Sequence, residues 1–272
     1  MKIINSSVEI IPQEPGLKGV YKQIEIAGRT SYKSENRITE DSADKFVNML
    51  IERGHTAPLE QGTIYLYFPW VSHEEKYENN PYSKVTIIRG LGEPLGYGNG
   101  GVYITTNARV IQQNGWQDDL QYICKPCKYH EKRITVRFTC SRSISLELIR
   151  HRAFSFVQES QRYCNYTKED KFGSEITFIK PFWYKEDGTD ELFIDSCKGA
   201  ERCYFTLISE GCTPQEAREV LPNSCKTEVV MTGFVSDWIE FFKLRCDKSA
   251  HPDMQKLANS LKLEFIHNGY IQ

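Results

Sequence analysis

Residues 150–163, RHRAFSFVQESQRY, gather Arg150, His151, Arg152 and Arg162 with Gln158, Ser160 and Gln161. Three guanidiniums, an imidazole and a run of amide and hydroxyl groups in so short a stretch suit the capture of an anion. Two residues turn an α-helix by about 200°. Arg150 and Arg152 therefore serve different partners, or the helix stops before them. Beyond Val157 the polar residues alternate, and in an extended segment Gln158, Ser160 and Arg162 project to one side. An amide, a hydroxyl and a planar cation with five donors match a phosphate together with a base carbonyl or a ribose hydroxyl. A charge-assisted bond of that kind contributes roughly 1.5–3 kcal/mol. The competing reading is a basic helix end whose cations face the carbonyl-rich terminus.

The elements that must position this segment are legible in outline. Residues 132–140, KRITVRFTC, alternate polar and apolar as a strand does. SRSISLELIRHR then shifts to helical spacing, with Ile144 and Leu148 four apart and Ser143 as the expected N-cap. The basic motif thus sits at the carboxyl end of a helix that follows a strand. Upstream, residues 2–12 predict an edge strand and a proline-rich turn, and residues 17–26 a helix. Asp41–Arg53 predicts a helix with Phe46, Met49 and Leu50 on one side and Gly54 at its end. HTAPLEQ (55–61) reads as a short polar loop and GTIYLYF (62–68) as a strand. Downstream, residues 175–179 suggest a strand, and 190–210, 214–221, 236–246 and 252–267 suggest helices. Residues 226–235 suit either strand or helix. Residues 71–131 are the least regular part and look like an insertion on a more compact core. Their glycine cluster at 91–101 reads as a turn or mobile loop, and residues 101–112 add a strand and a short helix. With no repeat or clear linker, one α+β domain over 1–272 is the simplest account.

The totals narrow the classes. A chain of 272 residues with 34 basic and 36 acidic side chains has a net charge of −2, which argues against a general nucleic-acid binder. An RNA-binding module using the 150–162 segment is kept as the alternative, although no RNP-like strand motif accompanies it. The amino-terminal residues show no secretory pattern, and no window approaches a membrane span. A cytoplasmic location is the expectation, with the nine scattered cysteines mostly reduced. Cys124, Cys127 and His130 form C-x2-C-x2-H, which could be half of a zinc site, but no second C-x2-C supplies a fourth ligand and Cys140 is distant, so ordinary thiols are the preferred reading. Ser155, Ser160 and Cys164 offer hydroxyl and thiol groups, but no G-x-S-x-G or ordered His/Asp partner marks a nucleophile. His251 in AHPD could cap a helix or face a site. Six dispersed histidines do not suggest a metal-dependent hydrolase.

Arg150-His151-Arg152, followed by seven residues and Ser160 and then by Arg162-Tyr163, resembles the signature of the flavin-dependent thymidylate synthases. RGHTAPLEQ (53–61), AREVLP (217–222) and FFKLRCDKSAHPDMQ (241–255) resemble three further segments of that family, in the expected order. The resemblance implies an α+β fold, with helices on a mainly antiparallel sheet, assembled as a homotetramer with active sites between subunits. It implies methylation of deoxyuridylate with methylenetetrahydrofolate as carbon donor, FAD as redox cofactor and NADPH as reductant, without an enzyme nucleophile. Partners are then small molecules, with no nucleic acid, membrane or metal.

Carried over by position, the deoxyuridylate site comprises Glu147, Leu148, Ile149 and Arg150, then Gln158, Glu159, Ser160, Gln161 and Arg162, with Arg218 and Arg245 from later segments. Arg245 is the expected catalytic residue, a permanently cationic group against the ionised pyrimidine. The FAD site comprises His55, Ala57 and Glu60, then Arg150, His151, Arg152 and Gln158, with Phe234, Ser236 and Glu240. The chain departs from the family pattern in three places. Val157-Gln158 stands where Asn-Glu is common, Ala57 where a hydroxyl is often found, and Phe234, Ser236 and Glu240 where Asn and Arg are usual.

Overall fold

In the 133–141 segment every second residue is apolar (Ile134, Val136, Phe138 and Cys140), and its pairing with 226–234 builds the centre of the fold. The structure is a computed structural model that describes residues 1–69, 74–88, 100–185 and 187–272. Its strands are β1 (Lys2–Ile4), β2 (Ser7–Ile11), β3 (Thr63–Phe68), β4 (Lys84–Ile88), β5 (Gly101–Asn107), β6 (Arg133–Ser141), β7 (Ser155–Gln158), β8 (Thr177–Ile179) and β9 (Lys226–Phe234). Its helices are α1 (Gly16–Tyr32), α2 (Ser42–Glu52), α3 (Glu74–Glu78), α4 (Ala108–Asn114), α5 (Arg142–Leu148), α6 (Glu169–Phe172), α7 (Thr189–Ser209), α8 (Pro214–Ala217), α9 (Val235–Arg245) and α10 (Pro252–His267).

The four-stranded sheet β2-β6-β9-β7 is antiparallel throughout. Ile134, Val136, Phe138 and Cys140 of β6 and Val229 and Met231 of β9 bury one face against α5, α9 and α10, around the fully buried Trp238. The other face meets α1 through Val230, Val157, Ile11 and Ala27. A second antiparallel sheet, β3-β5-β4, packs Ile64, Leu66, Phe68, Val102 and Ile104 against Val20 and Ile24 of α1 and Phe46, Val47 and Leu50 of α2. The described part of residues 71–131 thus supplies two strands to a core shared with α1 and α2. A short parallel pair, β1-β8, lies beside α7. The fold is α+β, with helices on mainly antiparallel sheets. No helix among the described residues is long and apolar enough to cross a membrane.

Several boundaries differ from expectation. Residues 2–12 form two strands, because Asn5 and Ser6 interrupt the run and β1 turns to pair with β8. The helix expected at 17–26 continues to Tyr32 and ends on a left-handed Lys33 (φ 46°). HTAPLEQ is not a loop: Ala57–Gln61 form a 3₁₀ turn with Pro58 and Leu59 buried against α1. Ser141, not Ser143, caps α5: its Oγ accepts from the Ile144 amide at 3.3 Å, and the Ser143 hydroxyl bonds to it at 2.8 Å. Residues 214–221 divide into α8 and a 3₁₀ turn at Arg218–Val220, and 226–235 resolves as strand β9. Gly54 does follow α2, with φ +69°. The glycine cluster at 91–99 lies outside the described residues.

Candidate functional site

The helix α5 ends at Leu148, so Arg150, His151 and Arg152 fall in the turns that lead into β7. Antiparallel pairing of β6 with β9 brings the end of α9 to the end of α5. There Arg245, 98 residues on in the chain, donates from Nη1 to Glu147 Oε2 (2.8 Å), from Nη2 to the Glu147 carbonyl (2.9 Å) and from Nε to His151 Nε2 (2.9 Å). The guanidinium thus caps a carbonyl-rich helix end, where a cation is favoured. Because Nε2 of His151 accepts, the imidazole is neutral with its proton on Nδ1. Burial, and then the Arg245 charge, push it down to about 4. Phe241 and Phe154 meet the ring edge to face at 5.0 and 6.2 Å. Arg150 and Arg152 are exposed and form no ion pair or side-chain hydrogen bond among the described residues. Leu148 is fully buried in the core, while Ile149 is 43% exposed.

β7 ends at Gln158, and the chain then turns rather than continuing extended. The Ser160 carbonyl accepts from the amides of Tyr163 (3.1 Å) and Cys164 (3.0 Å). The expected alternation through Arg162 therefore fails past Ser160, although burial still alternates, with Glu159 and Gln161 inside. Gln158 Nε2 donates to Ser145 Oγ (3.0 Å) and Thr227 Oγ1 (3.2 Å). Gln161 Nε2 donates to Cys225 Sγ (3.3 Å). Ser160 is tied by its amide to the Ser31 carbonyl (3.0 Å), and its hydroxyl has no partner among the described residues. Exposed Arg162 donates to Gln215 Oε1 of α8 at 2.9 Å, three residues before Arg218. Among the described residues, Arg218 is joined only to Glu219, at 3.4 Å. Two constellations therefore form within the chain: Glu147–His151–Arg245, and the Ser160–Arg162 turn against the 215–218 segment.

Glu159 is 2% exposed and meets Lys226 Nζ at 2.9 Å. Lys226 also meets Glu228 at 2.5 Å, and Lys33 meets Glu228 at 2.8 Å. Burial acts to raise Glu228, but the two lysines outweigh it and hold that carboxyl at about 2. Glu159 has only a share of Lys226, so burial pushes its carboxyl up. This network pins the base of the motif turn to β9. The sequence reading missed Lys226 and Lys33, whose pairing depends on register across the sheet.

His55 and Ala57 are exposed on the turn after α2. The Glu60 carboxylate is engaged by Arg109 of α4, whose Nε (3.0 Å) and Nη2 (3.2 Å) reach the Gln113 side-chain oxygen. Arg109 was not foreseen; it lies in the irregular 71–131 block. Buried Arg133 donates to the Glu60 carbonyl (3.0 Å) and Ser155 Oγ (3.2 Å). Phe234 is 6% exposed, with Lys84 and Arg133 each 5.5 Å from its ring centre. Ser236 and Glu240 are exposed on α9, and Glu240 pairs with Lys243 at 2.5 Å. Two buried donors, Gln61 Nε2 and Arg133 Nε, lack partners among the described residues. Together with the unpaired Arg150 and Arg152, these donors fit a polyanionic cofactor with acceptor oxygens. The positions of Phe234, Ser236 and Glu240 add no cation to that fit.

The C-x2-C-x2-H segment is closed by internal bonds: His130 Nδ1 accepts from the Cys127 amide (3.2 Å) and Nε2 donates to the Leu66 carbonyl (3.0 Å), so both ring nitrogens are engaged, with the Cys127 and Cys124 sulfurs 3.4 and 3.7 Å from them. Among the described residues, no group of three or more His, Cys, Asp or Glu side chains is arranged to hold a metal ion. Ser155 is buried and accepts from Arg133, and Cys164 is 2% exposed. His251 caps α10, accepting from the Asp253 amide at 3.2 Å.

The sequence profile of the thymidylate synthase complementing protein family matches residues 130–267, about half of the chain. That span holds the basic motif, Arg218 and Arg245 but not His55 or Glu60. A flavin-dependent thymidylate synthase of Clostridium tetani is 32% identical over 140 residues, covering 46% of this chain and 54% of that protein. One from Geobacter sulfurreducens is 33% identical over 118 residues, covering 43% and 49%. One from Pyrococcus horikoshii is 34% identical over 122 residues, covering 44% and 48%. The chain spans about half the length of the curated relatives it matches. With the matched span running from the strand that leads into the basic motif to the last helix, the chain belongs to the thymidylate synthase complementing protein family, that of the flavin-dependent thymidylate synthases.

Proposed function

We propose that this chain catalyses the reductive methylation of deoxyuridylate to thymidylate, with FAD as cofactor, methylenetetrahydrofolate as carbon donor and NADPH as reductant. The observation that carries the reading is Arg245, fixed by Glu147 and a neutral His151 at the mouth of the basic motif. Three of its five N–H donors are engaged, which leaves two for a ligand. Glu147 sets its orientation, and the neutral imidazole accepts from it without adding charge. In this reading Arg245 faces the pyrimidine and stabilises the negative charge that develops at N3–C4 when C5 is activated. Such preorganised donors act where charge develops in the transition state.

Ser160 and Arg162, with Arg218 nearby, take the nucleotide phosphate. Glu159 and Gln161 act from inside, holding the turn that presents them. Arg150 and Arg152 receive the flavin phosphates, and His55 borders the flavin. When bound, the flavin supplies electrons and relays the one-carbon unit. No residue of the chain is asked to act as a covalent nucleophile. The separation of the two constellations along the chain supports sites completed between subunits of a homotetramer, and the chemistry suits a cytoplasmic protein. The test is reconstitution: the FAD-loaded protein turns yellow, bleaches on addition of NADPH, and binds deoxyuridylate. A protein that retains no flavin under saturating FAD contradicts the reading.

A further inference from the structure

Between α1 and α2 lies a cleft of about 720 Å³ that neither the basic motif nor the reading above accounts for. Its cationic lining is Arg29, Arg37, Lys45 and Arg53, with His55 at one margin. Among the described residues, no carboxylate lies in the lining. Arg29 is already compensated by Glu25 at 2.6 Å and stacks on Phe46, its Cζ 4.6 Å from the ring centre. Arg37, Lys45 and Arg53 form no ion pair or side-chain hydrogen bond among the described residues and are exposed. The lining also holds an aromatic pair: Tyr32 at the end of α1 meets Tyr163 of the motif turn at 5.6 Å, and Tyr163 is 60% exposed. Met49 and Leu50 add apolar lining.

Three cations without an ion pair among the described residues, in a cleft that also holds Tyr32 and Tyr163, suit a ligand with an aromatic ring followed by several separated negative charges. In the proposed reaction, deoxyuridylate carries one phosphate, assigned to Ser160 and Arg162, and the flavin diphosphate falls to Arg150 and Arg152. The folate donor has the remaining chemistry: an aminobenzoyl ring followed by a chain of glutamate carboxylates. The cleft lining includes His55, assigned to the flavin border, and Tyr163, which follows Arg162 in the chain, so a donor reacting beside those residues has the cleft within reach of its tail. We infer that the cleft between α1 and α2 binds the aminobenzoyl-polyglutamate tail of the folate substrate, with Arg37, Lys45 and Arg53 pairing its carboxylates. This rests on the function proposed above and extends it to the form of the second substrate.

Each exposed pairing is weak and salt-sensitive, so the effect builds with tail length. The experiment titrates FAD-loaded protein with tetrahydrofolate monoglutamate and pentaglutamate, following flavin fluorescence. The wild-type chain is expected to bind the pentaglutamate roughly tenfold more tightly at low salt, a gap that closes as salt is raised. The triple variant Arg37→Ala, Lys45→Ala, Arg53→Ala should lose that gap. Equal affinities in the wild type, or a gap that survives in the variant, would overturn the inference. A parallel titration with NADPH and NADH tests the other phosphorylated candidate. If the variant loses discrimination for the 2′-phosphate while tail dependence persists, the cleft belongs to the reductant and the inference falls. Thymidylate formed from the monoglutamate without any tail dependence would sink this inference alone. No thymidylate with either folate would sink the proposed function, and this inference with it.

Discussion

Arg245→Ala separates the anchoring of Glu147 and His151 that the structure shows for this guanidinium from the catalytic role proposed for it. The side chain is 17% exposed and its partner Glu147 23% exposed, so removal leaves a carboxylate that water can reach. The stability cost then falls below the 3–5 kcal/mol expected for breaking a fully buried pair, at about 1–3 kcal/mol. For a chain of this size that lowers Tm by roughly 2–4 °C per kcal/mol. A domain with about 5–15 kcal/mol of stability stays folded at 25 °C after such a loss. The catalytic cost is larger in effect, because losing one preorganised donor at developing charge slows turnover by about 10²–10³-fold. The assay is anaerobic single-turnover formation of thymidylate, with flavin occupancy read by absorbance on the same sample. We expect flavin to stay bound and product formation to fall to near background. Arg245→Lys should recover little, since an ammonium cannot span Glu147 and His151 together. Turnover within threefold of wild type in the flavin-loaded Ala variant would refute the role assigned to Arg245.

Further outcomes are expected elsewhere in the site. Arg162→Ala should weaken deoxyuridylate binding about tenfold or more, measured by calorimetry, since it removes a charge-assisted phosphate contact; unchanged affinity would remove Arg162 from the nucleotide site. Lys226→Met strands the buried Glu159 while Glu228 keeps Lys33, and should cost about 3–5 kcal/mol in urea unfolding, against far less for the exposed Lys243→Met. His151 titrates at about 4 in the folded chain, below the ordinary histidine value, so the unfolded chain takes up this proton first as pH falls. Its contribution is complete above about pH 6.5 and is lost as pH falls toward 4; Tm measured across that window should fall less steeply in His151→Gln. A Cβ at Gly233 would lie 2.3 Å from the Phe154 ring, so Gly233→Ala should destabilise the fold by about 1–3 kcal/mol and disturb the motif that Phe154 anchors.

Much of this arrangement was readable because local patterns dominate it. The alternation in 133–141 and the helical spacing after it placed the basic motif at a helix end, and Arg150 and Arg152 do lie past α5. Ser141 took the cap from Ser143 because the helix begins at Arg142, directly after the strand, so that the last strand residue is also the N-cap. The turn at 160–164 was hidden, since residues 158–162 alternate in burial as a strand would while the backbone folds back. Pairings that depend on register between distant strands left no local trace. Lys226 reaching Glu159, Arg109 reaching Glu60 and Lys84 covering Phe234 all belong to that class. The strand and short helix expected at 101–112 appear as β5 and α4, but the irregular composition of 71–131 concealed β4, whose apolar residues make sense only once α1 and α2 supply the other side of the core.

The central claim is that residues around Arg245 present a pyrimidine nucleotide to a flavin that passes it carbon. The direct measurement is anaerobic incubation of the protein with reduced FAD, deoxyuridylate and methylenetetrahydrofolate labelled at its one-carbon unit, followed by mass analysis of the nucleotide. The account predicts thymidylate whose methyl carbon bears the label, formed only when all three compounds are present. Recovery of unchanged deoxyuridylate from protein shown to hold both flavin and nucleotide would contradict it.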